Sequence, residues 1–277
     1  MSLPATLSAY GDIIKGQQDA GGEHEPTPTE YFAVISATLG QATEQSPEFL
    51  TDSIKILDAV SLQASTAVVR GQFRSLCASY QQIITLSTDN AQLLKTTLSA
   101  LGTLLYVQEV SDTFWGNVQA LQCLNTLLAF LEDANMKLRK VAYDQLIRLM
   151  TLHKEKKSKA FRTYVADFCI GIMSNCNRAD YKRSLYIVLF LERAAAYLPE
   201  EANYSVRLFE TAISLQSSNQ PVLTAAVLRA ADALFQSPQY SLAPSETASC
   251  LRILGKYLYW GDRYIWYELG SYRAIEL

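Results

Sequence analysis

Apolar side chains recur every three or four positions along most of this chain, and short polar or proline-containing segments separate the runs. This spacing places the apolar residues on one face of a helix, so the pattern predicts a succession of amphipathic helices. Eleven predicted helices begin near Thr29, Pro47, Ser65, Asn90, Trp115, Met136, Ser158, Asp180, Glu200, Gln220 and Pro244. The predicted fold class is therefore all-α.

Every second predicted helix begins at a nearly constant interval. The starts at 47, 90, 136, 180 and 220 are separated by 43, 46, 44 and 40 residues, which is the period of two-helix HEAT or armadillo repeats. In such arrays each pair packs on its neighbours, so inner helices are apolar on more than one side, as in segment 185–198. The sequence predicts an α-solenoid of about five to six antiparallel helix pairs, with the repeats spanning residues 28–243.

Residues 1–27 and 244–277 depart from this pattern. The first segment contains four glycines, four acidic residues and no apolar periodicity after Ile14, so it is predicted to be a flexible arm. The second is predicted to be helical and to cap the open end of the last repeat. Its abundant Tyr and Trp side chains also suit partner binding, which stays an open alternative. These residues are Tyr257, Tyr259, Trp260, Tyr264, Trp266, Tyr267 and Tyr272.

Segment 133–149 carries the clearest local signal for a repeat. It resembles the HEAT consensus turn, in which an Asp ends one helix and an apolar residue followed by Arg opens the next. The residues predicted to face the core are Leu138, Val141, Ala142, Leu146 and Leu149. Those predicted to face water are Lys137, Lys140, Asp144 and Arg148. Arg139 is predicted to be a structural residue that holds the turn of an adjacent repeat.

Taken in order, several segments of the chain resemble the ribosomal RNA processing protein 12 family of HEAT-repeat factors. They are 27–32 (TPTEYF), Trp115, 136–142 (MKLRKVA), 164–168 (YVADF), 185–198 and 220–226 (QPVLTAA). The resemblance spans roughly residues 27–240 and implies a role in small-subunit assembly and nuclear export. It also implies pre-ribosomal RNA, ribosome-assembly proteins and nuclear transport factors as partners, and a nuclear and nucleolar location with shuttling to the cytoplasm.

Charge is distributed unevenly along the chain. The 277 residues carry a net charge of −3, which argues against a protein that coats nucleic acid through its total charge. Residues 137–162 nevertheless contain nine basic and two acidic side chains, a local balance of +7. The predicted contacts for RNA phosphates or an acidic partner are Lys137, Lys140, Lys154, Lys156, Lys157, Lys159, Arg162, Arg178 and Lys182. For 153–159, an ordinary solvated loop is the alternative.

Candidate catalytic chemistry is sparse. His24 lies in the predicted arm and His153 precedes a basic run, and the usual nucleophile, phosphate-binding and dinucleotide-binding motifs do not occur. The five cysteines lie in apolar helical stretches without a CxxC pair, so they are predicted to be buried thiols of a reducing compartment. The sequence therefore predicts no catalytic residue, no metal, no cofactor and no small-molecule substrate.

No uninterrupted apolar run approaches the length of about 18 residues that a membrane span requires, so no membrane contact is predicted. Stacked helices with a basic region favour a non-catalytic scaffold that holds RNA and proteins. The alternative is an importin-type nuclear transport receptor, or a general HEAT-repeat adaptor for proteins. Either would use the same stacked helices to bind a targeting signal or another protein segment.

Overall fold

The computed structural model describes residues 2–17, 24–40, 45–175, 181–199 and 221–236, with a few further positions between 204 and 215. Within these residues helices dominate and no β-strand occurs. Their twelve α-helices are α1 (Leu3–Gln17), α2 (Pro28–Leu39), α3 (Pro47–Ser61), α4 (Thr66–Gly71), α5 (Phe73–Leu86), α6 (Ala91–Tyr106), α7 (Asp112–Trp115), α8 (Val118–Ala129), α9 (Met136–Glu155), α10 (Ala160–Asn175), α11 (Tyr181–Ala194) and α12 (Pro221–Gln236). Short 3-10 helices, Phe130–Glu132 and Ala195–Tyr197, follow α8 and α11.

Nine of the eleven predicted helix starts lie within three residues of an observed start. The other two, at Glu200 and Pro244, fall outside the described residues. The sequence predicted one helix from Ser65, whereas the structure has two, because the backbone leaves helical geometry at Gln72 (φ −89°, ψ 1°). The residue before this break is Gly71, which favours a helix end.

Side-chain caps fix where several of these helices begin. Thr27 forms a capping box before α2: its hydroxyl accepts the N–H of Glu30 at 3.3 Å, and the Glu30 carboxylate accepts the N–H of Thr27 at 2.7 Å. Pro28 occupies the first turn of α2, where a missing N–H costs nothing. Ser46 and Asn90 cap α3 and α6 in the same way as Thr27, by accepting a backbone N–H.

The chain divides into two compact units, Met1–Leu152 and His153–Leu277. In the first unit α2 packs on α3 and α5 packs on α6, while α6 also contacts α3 of the preceding pair and α8 of the following pair. In the second unit α10 packs on α11, and α11 packs on α12. These contacts join helices of the same pair or of consecutive pairs, which is how stacked repeats are built.

Hydrogen bonds between repeats have the spacing that the sequence predicted. In the first unit the Tyr10 and Ser53 hydroxyls, 43 residues apart, lie 2.9 Å from each other, and Ser99 donates to Asp58, 41 residues away, at 2.9 Å. In the second unit Arg229 donates to Glu192, which is 37 residues away, at 3.3 Å. Each separation is about one repeat, so these bonds join neighbouring repeats.

The core follows the predicted faces closely. In α9, Leu138, Ala142, Leu146 and Leu149 are buried, whereas Val141 is only half-buried. Helix α6 is enclosed on nearly all sides, with eleven of its 16 residues buried. Gly102 of α6 lies so close to Gln145 of α9 that a β-carbon at this position would overlap the Gln145 side chain. The predicted burial of segment 185–198 on more than one side is also confirmed, by Ile187, Val188, Phe190, Leu191 and Ala194.

The predicted flexible arm contains a packed helix instead. Helix α1 contacts α2 and α3, and Tyr10 is 1% exposed, with its hydroxyl 2.9 Å from that of Ser53. Burial raises the pKa of Tyr10 above its usual value. The prediction of a flexible arm depended on the glycines and acidic residues of this segment. Its short apolar pattern indicates a helix, since Tyr10 and Ile14 are four residues apart and both are buried. Residues 18–23 lie outside the described part of the chain.

The cysteines are only partly as predicted. Cys169 is buried, as expected. Cys77 of α5 and Cys123 of α8 are buried but joined in a disulfide, so the prediction of free thiols was wrong for this pair. They are 46 residues apart, about one repeat, and stacking of the repeats brings them together. Cys176 and Cys250 lie outside the described residues.

Candidate functional site

Four of the predicted binding lysines of the second unit meet at the connection between α9 and α10. We call residues 154–159 the basic turn. Its lysines are Lys154, Lys156, Lys157 and Lys159. Its only acidic residue is Glu155, so the turn has a strong local excess of positive charge.

The basic turn reverses the chain direction through a left-handed residue. Lys157 has φ 58° and is the only non-glycine residue with a positive φ in the described part of the chain. Its N–H donates to the carbonyl of Lys154 at 3.0 Å, and the N–H of Ser158 donates to the carbonyl of His153 at 2.9 Å. This is the Schellman arrangement, in which the left-handed position is usually glycine. For a residue with a β-carbon, the left-handed conformation is less favourable than the right-handed one by roughly 1–2 kcal/mol.

Ser158 fixes the basic turn from its buried side. Its Oγ lies 3.1 Å from Nδ1 of His153, and its carbonyl accepts a hydrogen bond from Nε of Arg162 at 3.0 Å. His153 is 1% exposed, and its ring stacks on Phe161 with the centroids 4.5 Å apart. The backbone of the turn is therefore held by several buried contacts.

The lysines of the basic turn differ in their environment. Lys156, Lys157 and Lys159 are exposed. The side chains of Lys156 and Lys157 form no hydrogen bond or ion pair within the described part of the chain. Lys154 is half-buried: its Nζ donates to the carbonyl of Ala196 at 2.7 Å and lies 5.7 Å from the centre of the Tyr197 ring. Lys154 thus links neighbouring helix pairs, whereas Lys156 and Lys157 point their charge to solvent.

Arg162 does not belong to the predicted binding surface. It is 1% exposed, and besides its bond to Ser158 it donates from Nη1 to the carbonyl of Leu198 at 3.1 Å. Its alkyl chain and guanidinium therefore sit inside the unit, where they satisfy buried carbonyl groups. The sequence prediction was wrong here because charge alone does not show which basic residues a fold encloses.

The remaining predicted contacts belong to other elements of the chain than the basic turn. Lys137 and Lys140 are exposed in the first two turns of α9, within the first unit. Lys182 is exposed in the first turn of α11, in the second unit. Arg178 lies outside the described residues. Among the predicted contacts in the described residues, only the lysines of 154–159 share one connection between helices.

Arg139 has a structural role, as predicted, but the turn that it holds is not the predicted turn of an adjacent repeat. Its Nη1 donates to the carbonyls of Asp133 at 2.6 Å and Ala134 at 3.0 Å, in the turn that precedes its own helix rather than in a neighbouring repeat. The Asp133 side chain accepts the N–H of Asn135 at 2.6 Å, which closes the same turn.

Two residues that shape the site, His153 and Ser158, are not predicted by the sequence pattern. The signal available was a histidine near a helix end and a serine five residues later, which is too common a pattern to select from one sequence. Their importance depends on both being buried and on the proximity of Arg162 and Phe161, which only the folded chain shows.

Other chemistry is limited in the described residues. His24 is exposed and bonds the Glu30 carboxylate at 3.1 Å, and His153 is enclosed between Ser158 and Phe161. Among the described residues, no group of three or more His, Cys, Asp and Glu side chains could hold a metal ion. No helix in that part of the chain is long and apolar enough to cross a membrane. What the basic turn can do chemically is attract and hold an anion.

Paired helices with contacts one repeat apart define an all-α protein of the HEAT-repeat class, an α-solenoid, as predicted. The chain belongs to the family described as "RRP12-like, N-terminal HEAT repeats", whose model matches residues 2–242. The match begins before α1, so it includes the helix in the segment that the sequence predicts to be a flexible arm. The predicted resemblance is confirmed. The family places the chain among HEAT proteins of ribosome biogenesis. The HEAT-repeat fold is typical of non-catalytic proteins.

Among solved structures, the chain is similar to a crystallised engineered protein from a structural genomics programme. The two share 12% identity over 87% of this chain and 95% of the other, with a TM-score of 0.41. That similarity supports no further conclusion. A comparison with curated proteins gives no match.

Proposed function

We propose that this chain is a non-catalytic HEAT-repeat scaffold that binds pre-ribosomal RNA, assembly proteins or both during small-subunit maturation and nuclear export. Family membership supports the assignment to ribosome biogenesis. The observation that carries the binding role is the basic turn, because Lys156 and Lys157 are exposed and have no partner within the described residues. The proposed location is the nucleus and nucleolus, with shuttling to the cytoplasm.

The environment of the histidines supports a role in binding rather than catalysis. A general base must reach a substrate proton, yet His153 is stacked on Phe161 and lies within hydrogen-bond distance of Ser158. His24 contacts Glu30, which forms the capping box of α2 together with Thr27. We propose no reaction, cofactor or metal for this protein, and no membrane partner or small-molecule substrate.

Affinity purification of the tagged chain from nuclear extract tests the proposal, with sequencing of the bound RNA and mass spectrometry of the bound proteins. We expect enrichment of small-subunit precursor RNA and of assembly proteins over an unrelated HEAT protein carrying the same tag. Ran-dependent recovery of import cargo without RNA would instead favour an importin-type receptor. Recovery of neither class above the control would refute the scaffold proposal.

A further inference from the structure

We infer that the basic turn is a preformed contact for RNA phosphates, and that Lys157 occupies its left-handed position because its charge is needed there. The inference rests on the proposed function, since it specifies which partner the turn contacts and through which residue. It depends on the conformation of Lys157, the fixed backbone around Ser158, and the surface around both.

The conformation of Lys157 is unfavourable for the fold. Glycine is the residue that a Schellman turn prefers, because any β-carbon strains the left-handed conformation. The Lys157 side chain forms no hydrogen bond or ion pair in the described part of the chain that would offset this strain. Strained residues persist where the surrounding structure enforces them, and they cluster at functional sites. Here the turn enforces the conformation of Lys157. Replacing Lys157 by glycine would relieve the strain but would remove the exposed ammonium group.

The frame around Lys157 is rigid, which suits binding. Ser158 is held through its N–H and Oγ by His153 and through its carbonyl by Arg162. Lys156 and Lys157 therefore project from a backbone that needs little ordering when an anion arrives, and preorganisation of this kind improves affinity. Lys154 already contacts Ala196 and Tyr197. It therefore adds to the positive electrostatic potential of the turn, but its hydrogen bond to Ala196 is already formed.

The surroundings of the basic turn favour RNA over an acidic protein segment. Protein interfaces are enriched in aromatic and apolar side chains and depleted in lysine. In the described residues, the last large exposed apolar side chain before the turn is Met136 and the first one after it is Val222, so the turn itself offers none. Phosphate contacts need only positive charge at the right position, and lysine supplies it as a point charge.

Fluorescence anisotropy with a labelled fragment of small-subunit precursor RNA tests the inference, at several salt concentrations and with the full chain. Lys157→Gly removes both charge and strain, Lys157→Gln removes the charge alone, and Lys157→Arg keeps both. Lys95→Gln is the matched control, because Lys95 is an exposed lysine of α6 in the first unit. A polyglutamate peptide is the second probe.

Lys157→Gly should raise the melting temperature by about 2–4 °C and yet weaken RNA binding several-fold. Both Lys157→Gly and Lys157→Gln should flatten the salt dependence by about 0.7–0.9 in the slope of log K against log salt, because one fewer counterion is released. Lys157→Arg and Lys95→Gln should leave the affinity and the slope unchanged. Opposite effects of Lys157→Gly on stability and on binding are the result that a purely structural lysine would not give.

RNA binding that is the same for the wild type and both neutral Lys157 variants would overturn the inference and leave the scaffold proposal standing. Binding of polyglutamate but not RNA, with dependence on Lys157, would overturn the choice of RNA. A wild-type chain that binds neither probe would overturn the inference entirely. The scaffold proposal is decided separately, by what the purified chain recovers from nuclear extract.

Discussion

Burial separates the basic side chains that are available to a partner from those that are enclosed in the fold, although their charges are the same. Lys156 and Lys157 are exposed, whereas Arg162, only a few residues further along, is enclosed and donates to two carbonyl groups. Arg139 likewise holds a turn. A basic residue in a HEAT repeat therefore supports RNA binding only when its side chain reaches solvent.

Arg162→Ala should destabilise the protein by about 2–4 kcal/mol, because it leaves two buried carbonyls without a donor and opens a cavity. Urea unfolding followed by circular dichroism measures this loss. Lys156→Ala is the control and should change stability by less than about 0.5 kcal/mol. If Arg162→Ala unfolds like the wild type but binds RNA more weakly, then Arg162 acts in binding after all.

Individual helices owe their boundaries to local chemistry, and α2 shows this most clearly. The N–H and hydroxyl of Thr27 both donate to the Glu30 carboxylate, which lowers the pKa of Glu30 below its ordinary value of 4.5. Since the folded state favours the ionised form, Glu30 stabilises the fold above its ordinary pKa. That contribution disappears as the pH falls through the lowered pKa.

Glu30→Gln should therefore lower the melting temperature at pH 7, and the difference from the wild type should shrink as the pH falls below 4.5. Glu48→Gln is a suitable control, because Glu48 lies in the first turn of α3 but Ser46 supplies the cap there. Melting curves at about six pH values between pH 2.5 and pH 7 would show how the difference in melting temperature changes with pH. A Glu30→Gln effect independent of pH would contradict the assigned role of the ionised carboxylate.

Packing between helices depends on Gly102, at the contact of α6 with α9. Gly102→Ala should cost about 1–3 kcal/mol through overlap with Gln145, despite a gain of about 1 kcal/mol in helix propensity. Gly171→Ala in α10 is the matched control and should stabilise, since nothing lies within 4 Å of the added carbon. Chemical denaturation compares the two variants directly. Equal stabilisation by both would show that α6 and α9 are not in close contact.

At the scale of the molecule, stability comes from the packing of each repeat on its neighbours. Cys77 and Cys123 are 46 residues apart, and Arg162 and Leu198 are 36 residues apart, so both pairs join neighbouring repeats. Damage in one repeat should thus reach the next one along the chain. Contacts between repeats join residues about one repeat apart in the sequence. A globular core, in contrast, also joins residues that are much further apart.

Leu146→Asp tests this in the first unit, because Leu146 is fully buried in α9. An unpaired buried charge should cost several kcal/mol and should raise hydrogen exchange in α6 and α8 as well as in α9. Lys140→Asp, at an exposed position of the same helix, is the control and should leave exchange nearly unchanged. A soluble and equally stable Leu146→Asp protein would be incompatible with the core assigned to α9.

Local patterns in the sequence were sufficient for helix positions and repeat length, because caps such as Thr27 and apolar spacing act within one helical turn. They were insufficient for α1, whose burial depends on contacts with α2 and α3, and for Cys77 and Cys123, which meet only when repeats stack. The candidate site could be predicted only in part, because burial depends on contacts between residues that are distant in the sequence. Its lysines are visible as a run of charge, but the burial of Arg162 is not.

The pattern of residues along the chain is sufficient to predict a series of amphipathic helix pairs with a basic segment near residue 155, and to suggest the family. Two features are visible only in the folded chain: which basic residues reach solvent, and the left-handed conformation of Lys157. Helix periodicity is a local property of neighbouring residues. The enclosure of Arg162, in contrast, depends on Leu198, which is 36 residues away and is brought close only by folding.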